Sequence, residues 1–163
     1  MFSVLLSRAR DYETERISTI SGSQLPRFHV TGGVGWINDP NGFSLYKGEY
    51  HLFYQYYPYD VHWNSMHWGH VKTRDFIRWE RLPCALAPDQ SYDKDGCFSG
   101  SAVELRDGRH LLIYIHVSQS QLMRYSLLYS PLLSAALSPP TALTAATSSV
   151  LAVFTEKSTD SPS

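Results

Sequence analysis

Cysteine is scarce in this sequence, and its two cysteines do not have the spacing of a redox or zinc motif. They are Cys84 and Cys97, and twelve residues lie between them. A disulfide framework needs more cysteines, and a Cys-x-x-Cys motif needs a closer pair. We therefore expect two free thiols in a protein of a reducing compartment, with a single disulfide as the alternative.

An excess of charge of one sign and a long hydrophobic run are also lacking. The formal net charge is -1, which excludes a strongly basic protein, so we predict neither nucleic acid nor a membrane as a partner. Arginines interrupt the apolar residues near the N-terminus, and Pro139 and Pro140 break the apolar stretch from Pro131 to Phe154. Neither segment has the form of a signal-peptide core or a membrane span. These absences predict a cytoplasmic protein.

Glycine and tryptophan are missing from the C-terminal third. All ten glycines lie at or before Gly108, and all four tryptophans lie at or before Trp79. From about residue 117 the residues Ser, Leu, Ala, Thr and Pro dominate, which is typical of a low-complexity segment. We divide the chain into an N-terminal helix and linker (1–24), a folded portion (25–116) and a frameshifted or disordered tail (117–163). A natural low-complexity linker is the alternative for the tail.

The rest of the chain is rich in strand-forming residues. Good helix formers with alternating charge predict one short solvated helix from Val4 to Arg16. After it, aromatic and aliphatic residues recur in short runs bounded by turn residues, a pattern typical of antiparallel strands. The expected strands are 43–46, 50–56, 67–73, 77–82, 98–105 and 110–116. Short strands without a long amphipathic helix predict an all-β fold, closed as a propeller or a sandwich.

One stretch carries the candidate chemistry. Residues 36–42 read Trp-Ile-Asn-Asp-Pro-Asn-Gly, and Pro40 and Gly42 predict a tight turn that presents the carboxylate of Asp39. A surface turn between two strands is the ordinary interpretation of Asp-Pro-Asn-Gly. Aromatic, amide and hydroxyl side chains are dense in the residues that follow, however, and this density favours a sugar site.

Neither a metal nor a cofactor is predicted. His67 and His70 are three residues apart on a predicted strand, so their side chains do not converge on one ion. Residues 32–35 are rich in glycine but lack the strand-loop-helix context of a dinucleotide site. We expect a solvated loop for three acidic residues that lack the glycine and the terminal glutamate of a calcium loop, namely Asp89, Asp93 and Asp95.

Five motifs in one order point to a family. They are WINDPNG at 36–42, FYQY at 53–56, MHWGH at 66–70, Trp79 with LPCAL at 82–86, and FSGSA at 98–102. Together they resemble the start of the catalytic domain of glycoside hydrolase family 32, the β-fructofuranosidases, over residues 28–116. The resemblance implies a partial five-bladed β-propeller, of which this chain supplies the first one or two blades. It also implies a small sugar substrate, such as sucrose, sucrose 6-phosphate or a fructan.

The resemblance further implies roles for single residues. Asp39 would be the nucleophile of a retaining mechanism, which forms a covalent glycosyl-enzyme intermediate. The substrate-binding residues would be two amides, two aromatic rings and one hydroxyl, namely Asn38, Gln55, Trp63, Phe98 and Ser99. Each of these residues also has a purely structural interpretation. Gln55 can be a polar residue of a sheet face, Trp63 a core residue, and 98–99 the start of a strand. We expect Trp68 and Trp79 in the core.

The second carboxyl of the reaction is missing from the matched residues. The family supplies a further Asp from an Arg-Asp-Pro motif and an acid/base Glu from a Glu-Cys motif. Here Arg106 and Asp107 are followed by Gly108, and no cysteine follows a glutamate. We therefore expect a truncated and inactive β-fructofuranosidase. The alternatives are a non-catalytic carbohydrate-binding remnant and a non-functional fragment.

Overall fold

The computed structural model describes residues 3–22, 25–26, 28–118, 121–126 and 152–154. Within these residues the chain forms one helix followed by eight strands. The helix is α1 (Val4–Ile17), and the strands are β1 (Trp36–Tyr46), β2 (Glu49–Tyr57), β3 (His67–Thr73), β4 (Glu80–Leu86), β5 (Cys97–Glu104), β6 (His110–Ser118), β7 (Gln121–Ser126) and β8 (Ala152–Phe154). The described part of the chain is therefore mostly β, as the sequence predicts.

The strands form two antiparallel sheets. The first sheet has the order β1-β2-β3-β4, so that neighbours in the sequence are neighbours in the sheet. In the second sheet β5, β6 and β7 pair in sequence, and β8 also pairs with β6. Short connections favour such meanders, because consecutive strands pair without crossing. Neither sheet closes on itself within the described residues, and β1 of the first sheet lies against β5 of the second.

The first hairpin follows from its turn residues. Lys47 and Gly48 join β1 to β2 with positive φ angles of 49° and 76°, which are the angles that a two-residue turn between twisted strands requires. Glycine accepts this geometry without strain, and nothing lies within 4 Å of the place where its Cβ would be. The predicted hairpin and its turn are confirmed.

The stretch from residue 36 to residue 42 is part of a strand, and our prediction of a tight turn was wrong. It forms most of β1, where the pairing with β2 shifts register between Ile37 and Pro40 and again between Asn41 and Ser44. Because β1 is an edge strand of its sheet, the missing N–H of Pro40 is tolerated there. The left-handed geometry expected near its end is present, since Gly42 has a φ of 51°. The segment is thus an irregular strand, distorted at residues 38–39 and again at residues 42–43.

The first sheet is covered on both sides. We call the side packed on the second sheet the inter-sheet face; there Phe53 and Trp68 pack against Leu112 and Tyr114. We call the opposite side the helix face; its apolar cluster comprises Ala9 of α1 and four residues of the first sheet, Tyr54, Tyr56, Val71 and Cys84. Successive residues of β2 alternate between these faces, because strand side chains point to opposite sides in turn.

Helix α1 docks on β4 through two charged residues one turn apart. Ser3 caps the helix by accepting a hydrogen bond from the N–H of Leu6 at 3.0 Å. Arg10 donates from Nε to the carbonyl oxygen of Cys84 at 2.9 Å, and the N–H of Cys84 donates to Oε2 of Glu13 at 2.9 Å. The predicted helix is confirmed, but its solvated character is wrong, because Glu13 is buried against the sheet. In the described part of the chain no helix is both long enough and apolar enough to span a bilayer.

Two predicted boundaries need correction. Strand β4 was expected to close at Pro83, whereas it begins at Glu80 and runs through Pro83 to Leu86. The proline is accommodated because β4 is the outer edge of its sheet. Strand β6 continues to Ser118, and both β7 and β8 lie in the segment predicted as a tail. The other residues of that segment lie outside the described residues.

Candidate functional site

Asp39 is exposed on β1, and its neighbour Gln55 is buried on β2. Since Ile37 pairs with Tyr56 and Pro40 pairs with Tyr54, the irregular pair of residues 38–39 lies opposite Gln55. No hydrogen bond or ion pair holds the Asp39 carboxylate among the residues that the structure describes. Asn38 is also exposed, and its Oδ1 accepts a hydrogen bond from Nε1 of Trp36 at 2.9 Å. The Asp39 carboxylate is therefore accessible to a reaction partner.

Gln55 connects the two sheets at this point. Its side chain is only 2% exposed, and Nε2 donates to the carbonyl oxygen of Cys97 at 3.1 Å. Its other polar atom, Oε1, is buried without a hydrogen-bond partner. A buried acceptor of this kind carries a desolvation cost unless a ligand or another donor reaches it. Gln55 thus holds β5 and retains a free acceptor, and its role in binding stays a prediction.

The two aromatic residues predicted to wall a pocket lie beside each other. The rings of Trp63 and Phe98 are stacked, with their centroids 6.4 Å apart and their planes 26° apart. Trp63 is 56% exposed, which contradicts its alternative as a core residue. Ser99 follows Phe98 on β5 and is exposed. Trp63 is exposed and Phe98 is half-buried, so the stacked pair and the neighbouring hydroxyl group offer apolar and polar contacts at one place, as sugar binding requires.

Four of the five motifs therefore meet in one region of the molecule, whereas Trp79 of the remaining motif lies on the helix face. Strand pairing places 38–39 beside Gln55, Gln55 bonds to Cys97, and the next residue, Phe98, stacks on Trp63. All six sequence-predicted site residues belong to this connected set, with Ser99 as its outermost member on β5. Only tertiary contact brings β5 to β1, because fifty residues lie between the end of β1 at Tyr46 and the start of β5 at Cys97.

Sequence reasoning missed two residues of this region. Asn41 is 4% exposed, and its Oδ1 accepts a hydrogen bond from the N–H of Gly100 at 3.2 Å. Trp68 was predicted as core, which its complete burial confirms, but its Nε1 also donates to the carbonyl oxygen of Phe98 at 3.0 Å. For Asn41 a signal was present, because it lies inside the 36–42 motif. For Trp68 the sequence held no sign of a polar contact.

A second group of polar side chains lies further along the inter-sheet face. Nδ1 of His51 and Nε2 of His70 are 2.8 Å apart, and Nε2 of His110 lies 2.8 Å from the Ser44 hydroxyl. Burial, together with the neighbouring histidines, lowers the pKa of His70 to about 2 and that of His110 to about 4. The imidazoles of His70 and His110 are therefore neutral packing groups in the fold. The described residues hold no group of three or more side chains arranged to bind a metal ion.

Asp93 is buried, so our expectation of a solvated acidic loop was wrong for this residue. It is 1% exposed and accepts hydrogen bonds from the hydroxyl of Tyr114 at 2.7 Å and the N–H of Gln90 at 2.8 Å. Burial raises its pKa to about 6. The spacing of the acidic residues did not indicate this contact, because the tyrosine comes from β6. Asp93 braces the loop before β5.

Both thiols are free and buried, and they lie on different sheets. The Cys84 thiol donates to the carbonyl oxygens of Trp68 at 3.3 Å and Leu86 at 3.2 Å, whereas the Cys97 thiol lies 3.8 Å from Oδ2 of Asp93. Burial raises the pKa of both thiols. Neither cysteine is therefore a reactive nucleophile.

An open groove of about 580 Å³ lies elsewhere, between α1 and the loops at 31–35 and 58–61. Its charged lining residues are Arg16 and Asp60, and Asp39 is not among the residues that line it. Enzyme sites usually lie in concave regions with convergent polar groups. We nevertheless place the candidate site at Asp39, because the groove lacks a comparable cluster of amide, aromatic and carboxylate side chains.

The remaining candidate for a second carboxyl lies far from Asp39. Oε2 of Glu104 accepts a hydrogen bond from the N–H of Lys47, in the turn after β1, at 3.3 Å. Lys47 follows Asp39 by eight residues along the strand, which corresponds to roughly 25 Å at about 3.3 Å per residue. A retaining glycosidase needs its two carboxyl groups about 5–5.5 Å apart. Glu104 therefore does not serve as its partner, and Glu156 lies outside the described residues.

Comparison with known proteins identifies the family. The model of the glycosyl hydrolases family 32 N-terminal domain matches residues 29–131, which is more than half of the chain. The sucrose-6-phosphate hydrolase of Zymomonas mobilis is 59% identical over 95 residues, which cover 58% of this chain and 18% of that protein. The levanase of Bacillus subtilis is 48% identical over 103 residues, which cover 63% of this chain and 15% of that protein.

Solved structures agree with the sequence relatives. The family 32 β-fructofuranosidase of Bombyx mori matches with a TM-score of 0.62 and 41% identity, over 74% of this chain and 25% of that one. A mutant of the same enzyme in complex with sucrose matches with a TM-score of 0.62 and 40% identity, again over 74% and 25%. The chain thus spans between about a sixth and a quarter of the length of these proteins.

Proposed function

The chain belongs to glycosyl hydrolase family 32, and from this membership we propose that it carries the nucleophile half of a retaining β-fructofuranosidase site. The substrate class is terminal β-D-fructofuranosides, such as sucrose, sucrose 6-phosphate or a short fructan. Relatives named for sucrose 6-phosphate and levan and a structure in complex with sucrose support this class. The observation that carries the proposal is the exposed Asp39 opposite Gln55, whose amide bonds to Cys97, the residue before the Phe98 ring that stacks on Trp63.

In the proposed reaction Asp39 attacks the anomeric carbon of the fructosyl unit. The bond from that carbon to the leaving oxygen breaks, and an ester between Asp39 and the sugar forms. The exposed Asn38 would donate a hydrogen bond from Nδ2 to a sugar hydroxyl. Oε1 of Gln55 is buried, and it would accept a second one when the groups that cover it move aside on binding. The indole of Trp63 would cover an apolar side of the sugar. Water would then hydrolyse the ester and release fructose.

We also propose that this polypeptide alone turns over substrate slowly, because it lacks a positioned acid. Protonation of the leaving oxygen by a positioned acid contributes about 10²- to 10⁴-fold to such reactions. Neither the Arg-Asp-Pro motif nor the Glu-Cys motif occurs in the sequence, and Glu104 lies at the far end of β1 from Asp39. We infer that the chain by itself binds a fructosyl unit and hydrolyses sucrose poorly.

We also propose that the two sheets are the first two blades of a propeller. Two successive antiparallel meanders whose first strands lie side by side support this arrangement. On this proposal the propeller portion begins near residue 25, after the helix and linker. The two buried free thiols are compatible with the reducing cytoplasm, which we propose as the location.

A substrate with a leaving group that needs no acid tests the nucleophile. With β-D-fructofuranosyl fluoride, Asp39 would displace fluoride from the anomeric carbon, and the protein would gain the mass of one fructosyl unit. We expect mass spectrometry of the intact protein to show this adduct and peptide mapping to place it on residue 39. Asp39→Asn should give no adduct, because an amide is a poor nucleophile. Asp60→Asn, a change at another exposed aspartate, should label like the parent.

Binding without chemistry is the second candidate function, and the free acceptor of Gln55 beside the stacked rings favours it. Calorimetric titration with fructose separates it from a non-functional chain, since only a formed site releases heat on binding. Binding without the adduct would support a carbohydrate-binding remnant. An adduct on a residue other than Asp39 would contradict the nucleophile assignment.

A further inference from the structure

A bulge in β5 is held by side chains of the first sheet. In the pairing of β5 with β6, Cys97 lies opposite His116 and Gly100 lies opposite Tyr114. Three steps along β5 thus correspond to two steps along β6, so one residue of the pair Phe98 and Ser99 is extra. Such an insertion bends the strand and redirects a side chain. The bulge coincides with the two β5 residues of the proposed sugar site.

Three hydrogen bonds fasten the backbone of this bulge. Nε2 of Gln55 donates to the carbonyl oxygen of Cys97 at 3.1 Å, and Nε1 of Trp68 donates to that of Phe98 at 3.0 Å. On the far side of the bulge, the N–H of Gly100 donates to Oδ1 of Asn41 at 3.2 Å. A bulge disrupts the regular ladder between two strands, so its backbone groups need other partners. Here the partners come from the other sheet.

The three side chains that hydrogen-bond to the backbone of the bulge are buried, whereas Ser99 within the bulge is exposed. Asn41 is 4%, Gln55 2% and Trp68 0% exposed, while Ser99 is exposed. Buried hydrogen bonds fix geometry well, because water does not compete for the donors and acceptors. Gly100 is also required sterically, since a Cβ there would lie 1.9 Å from the carbonyl oxygen of Ile113. The bulge is therefore rigidly defined on both sides.

We propose that Asn41 and Trp68 are positioning residues of the fructosyl site, which act through the backbone of the bulge and do not touch the sugar. This inference rests on the proposed function. Together with Gln55 they set where the Phe98 ring and the Ser99 hydroxyl lie relative to Asp39. Asn41 connects the two directly, because it belongs to the same strand as Asp39 and bonds to the residue after Ser99. Small displacements matter at such a site, since about 1 Å of misplacement can cost about 10²-fold in rate.

The test uses the full chain and two substitutions that each remove one hydrogen bond. Trp68→Phe keeps an aromatic ring but removes the indole N–H, and Asn41→Leu keeps the side-chain size but removes the acceptor for Gly100. Trp79→Phe is the matched control, because Trp79 packs on the helix face away from β5. Two quantities are measured by NMR: hydrogen exchange of the amides of residues 98–102, and the affinity for D-fructose.

We expect Asn41→Leu to speed exchange at Gly100 by about tenfold or more, because loss of its acceptor opens that amide. Trp68→Phe should change the amide shifts of residues 98–100. Both variants should weaken fructose binding by about five- to tenfold, the effect of a lost buried hydrogen bond, and Trp79→Phe should leave affinity and these amides unchanged. If Trp68→Phe fails to fold, Asn41→Leu alone still tests the proposal.

Two results would overturn the proposal. One is parent-like exchange and affinity in the folded variants. The other is an equal loss of affinity in Trp79→Phe, which would show a general packing effect. If the parent itself does not bind fructose, the proposed function fails. Hydrogen exchange of the amides of residues 98–102 then shows by itself whether Asn41 and Trp68 hold the bulge.

Discussion

The two faces of the first sheet differ in what their polar groups contact. On the helix face, Arg10 and Glu13 of α1 bond to the backbone of a single residue, Cys84 of the edge strand β4. On the inter-sheet face, Asn41, Gln55 and Trp68 bond to successive backbone groups of the bulge in β5. The first set attaches a helix to a sheet. The second set determines the shape of the candidate site.

This difference teaches that burial alone does not identify a functional face. Tyr54 and Tyr56 on the helix face are as buried as Phe53 and Gln55 on the inter-sheet face. What distinguishes the inter-sheet face is that two buried amide atoms, Nδ2 of Asn41 and Oε1 of Gln55, lack partners near the strand segment of the exposed Asp39, whereas the buried Tyr56 hydroxyl of the helix face lies beside Glu13. Such groups are costly in a core, and proteins keep them where function requires them.

Removing a ring from the inter-sheet face should have the largest effect. Phe53→Ala leaves a cavity between the two sheets, and a change of this kind costs about 3–5 kcal/mol, close to the full stability of many small domains. We expect loss of cooperative unfolding in urea, followed by circular dichroism. Phe76→Ala removes the same ring from a position that is 50% exposed and should unfold like the parent. If both variants behaved alike, the inter-sheet contact would not stabilise the fold.

The second-largest effect should come from acid, which should lower the stability of the fold by protonating buried histidines on the inter-sheet face. His70 and His110 have folded-state pKa values of about 2 and about 4, below the ordinary 6.5. The unfolded chain therefore binds protons first as the pH falls, and stability is lost from about pH 6.5 downward, by about 1.4 kcal/mol per pH unit for each histidine. Buried Glu13 and Asp93 have raised pKa values and oppose this, because their contribution is lost as the pH rises.

Urea unfolding at about pH 7 and about pH 5 shows whether the buried histidines or the buried carboxyl groups have the larger effect on stability. We expect lower stability at the acidic pH. His70→Gln should reduce the difference between the two pH values. His62→Gln, at a histidine whose side chain is 83% exposed, should preserve it. Higher stability at the acidic value would show that the carboxyl groups dominate.

Weakening the attachment of α1 to β4 should lower stability by a smaller amount. Glu13→Ala leaves the buried N–H of Cys84 without its acceptor, at a cost of about 1–3 kcal/mol. Glu13→Gln retains an oxygen at the same place and removes a carboxyl whose pKa burial has raised, so it should be close to the parent at neutral pH. The two variants are compared by thermal unfolding. Equal destabilisation by both would show that the carboxylate charge, and not the hydrogen bond, matters.

Removal of the two ion pairs that Glu49 forms at the rim of the first sheet should have the smallest effect on stability. Glu49 contacts Lys72 and Arg74, each at 3.0 Å, near the turn after β1. Pairs at the solvent boundary contribute little, because water and salt screen them. Glu49→Gln should leave the unfolding midpoint within experimental error in both low and high salt. A clear shift that salt abolishes would place a stabilising charge network at this rim.

Much of the fold was readable from local patterns. Alternation of apolar residues identified β2 and β3, and the glycine of the first hairpin identified its turn, because both signals act over a few residues. The first part of β1, residues 36–42, was missed, since its Asp, Pro, Asn and Gly are turn formers and only pairing with β2 overrides that preference. The path of β4 through Pro83 was missed for a similar reason, because edge position is not visible in a local pattern.

The sequence by itself determined the family and the types of side chain at the site. The order of the five motifs is a property of the chain, and the family match agrees with it. Tertiary structure alone decided that Asn41 and Trp68 hold the bulge and that Asp93 is buried. The physical reason is that these contacts join residues between 21 and 59 positions apart. Local preferences cannot specify such pairs, which form only when the two sheets pack and exclude water between them.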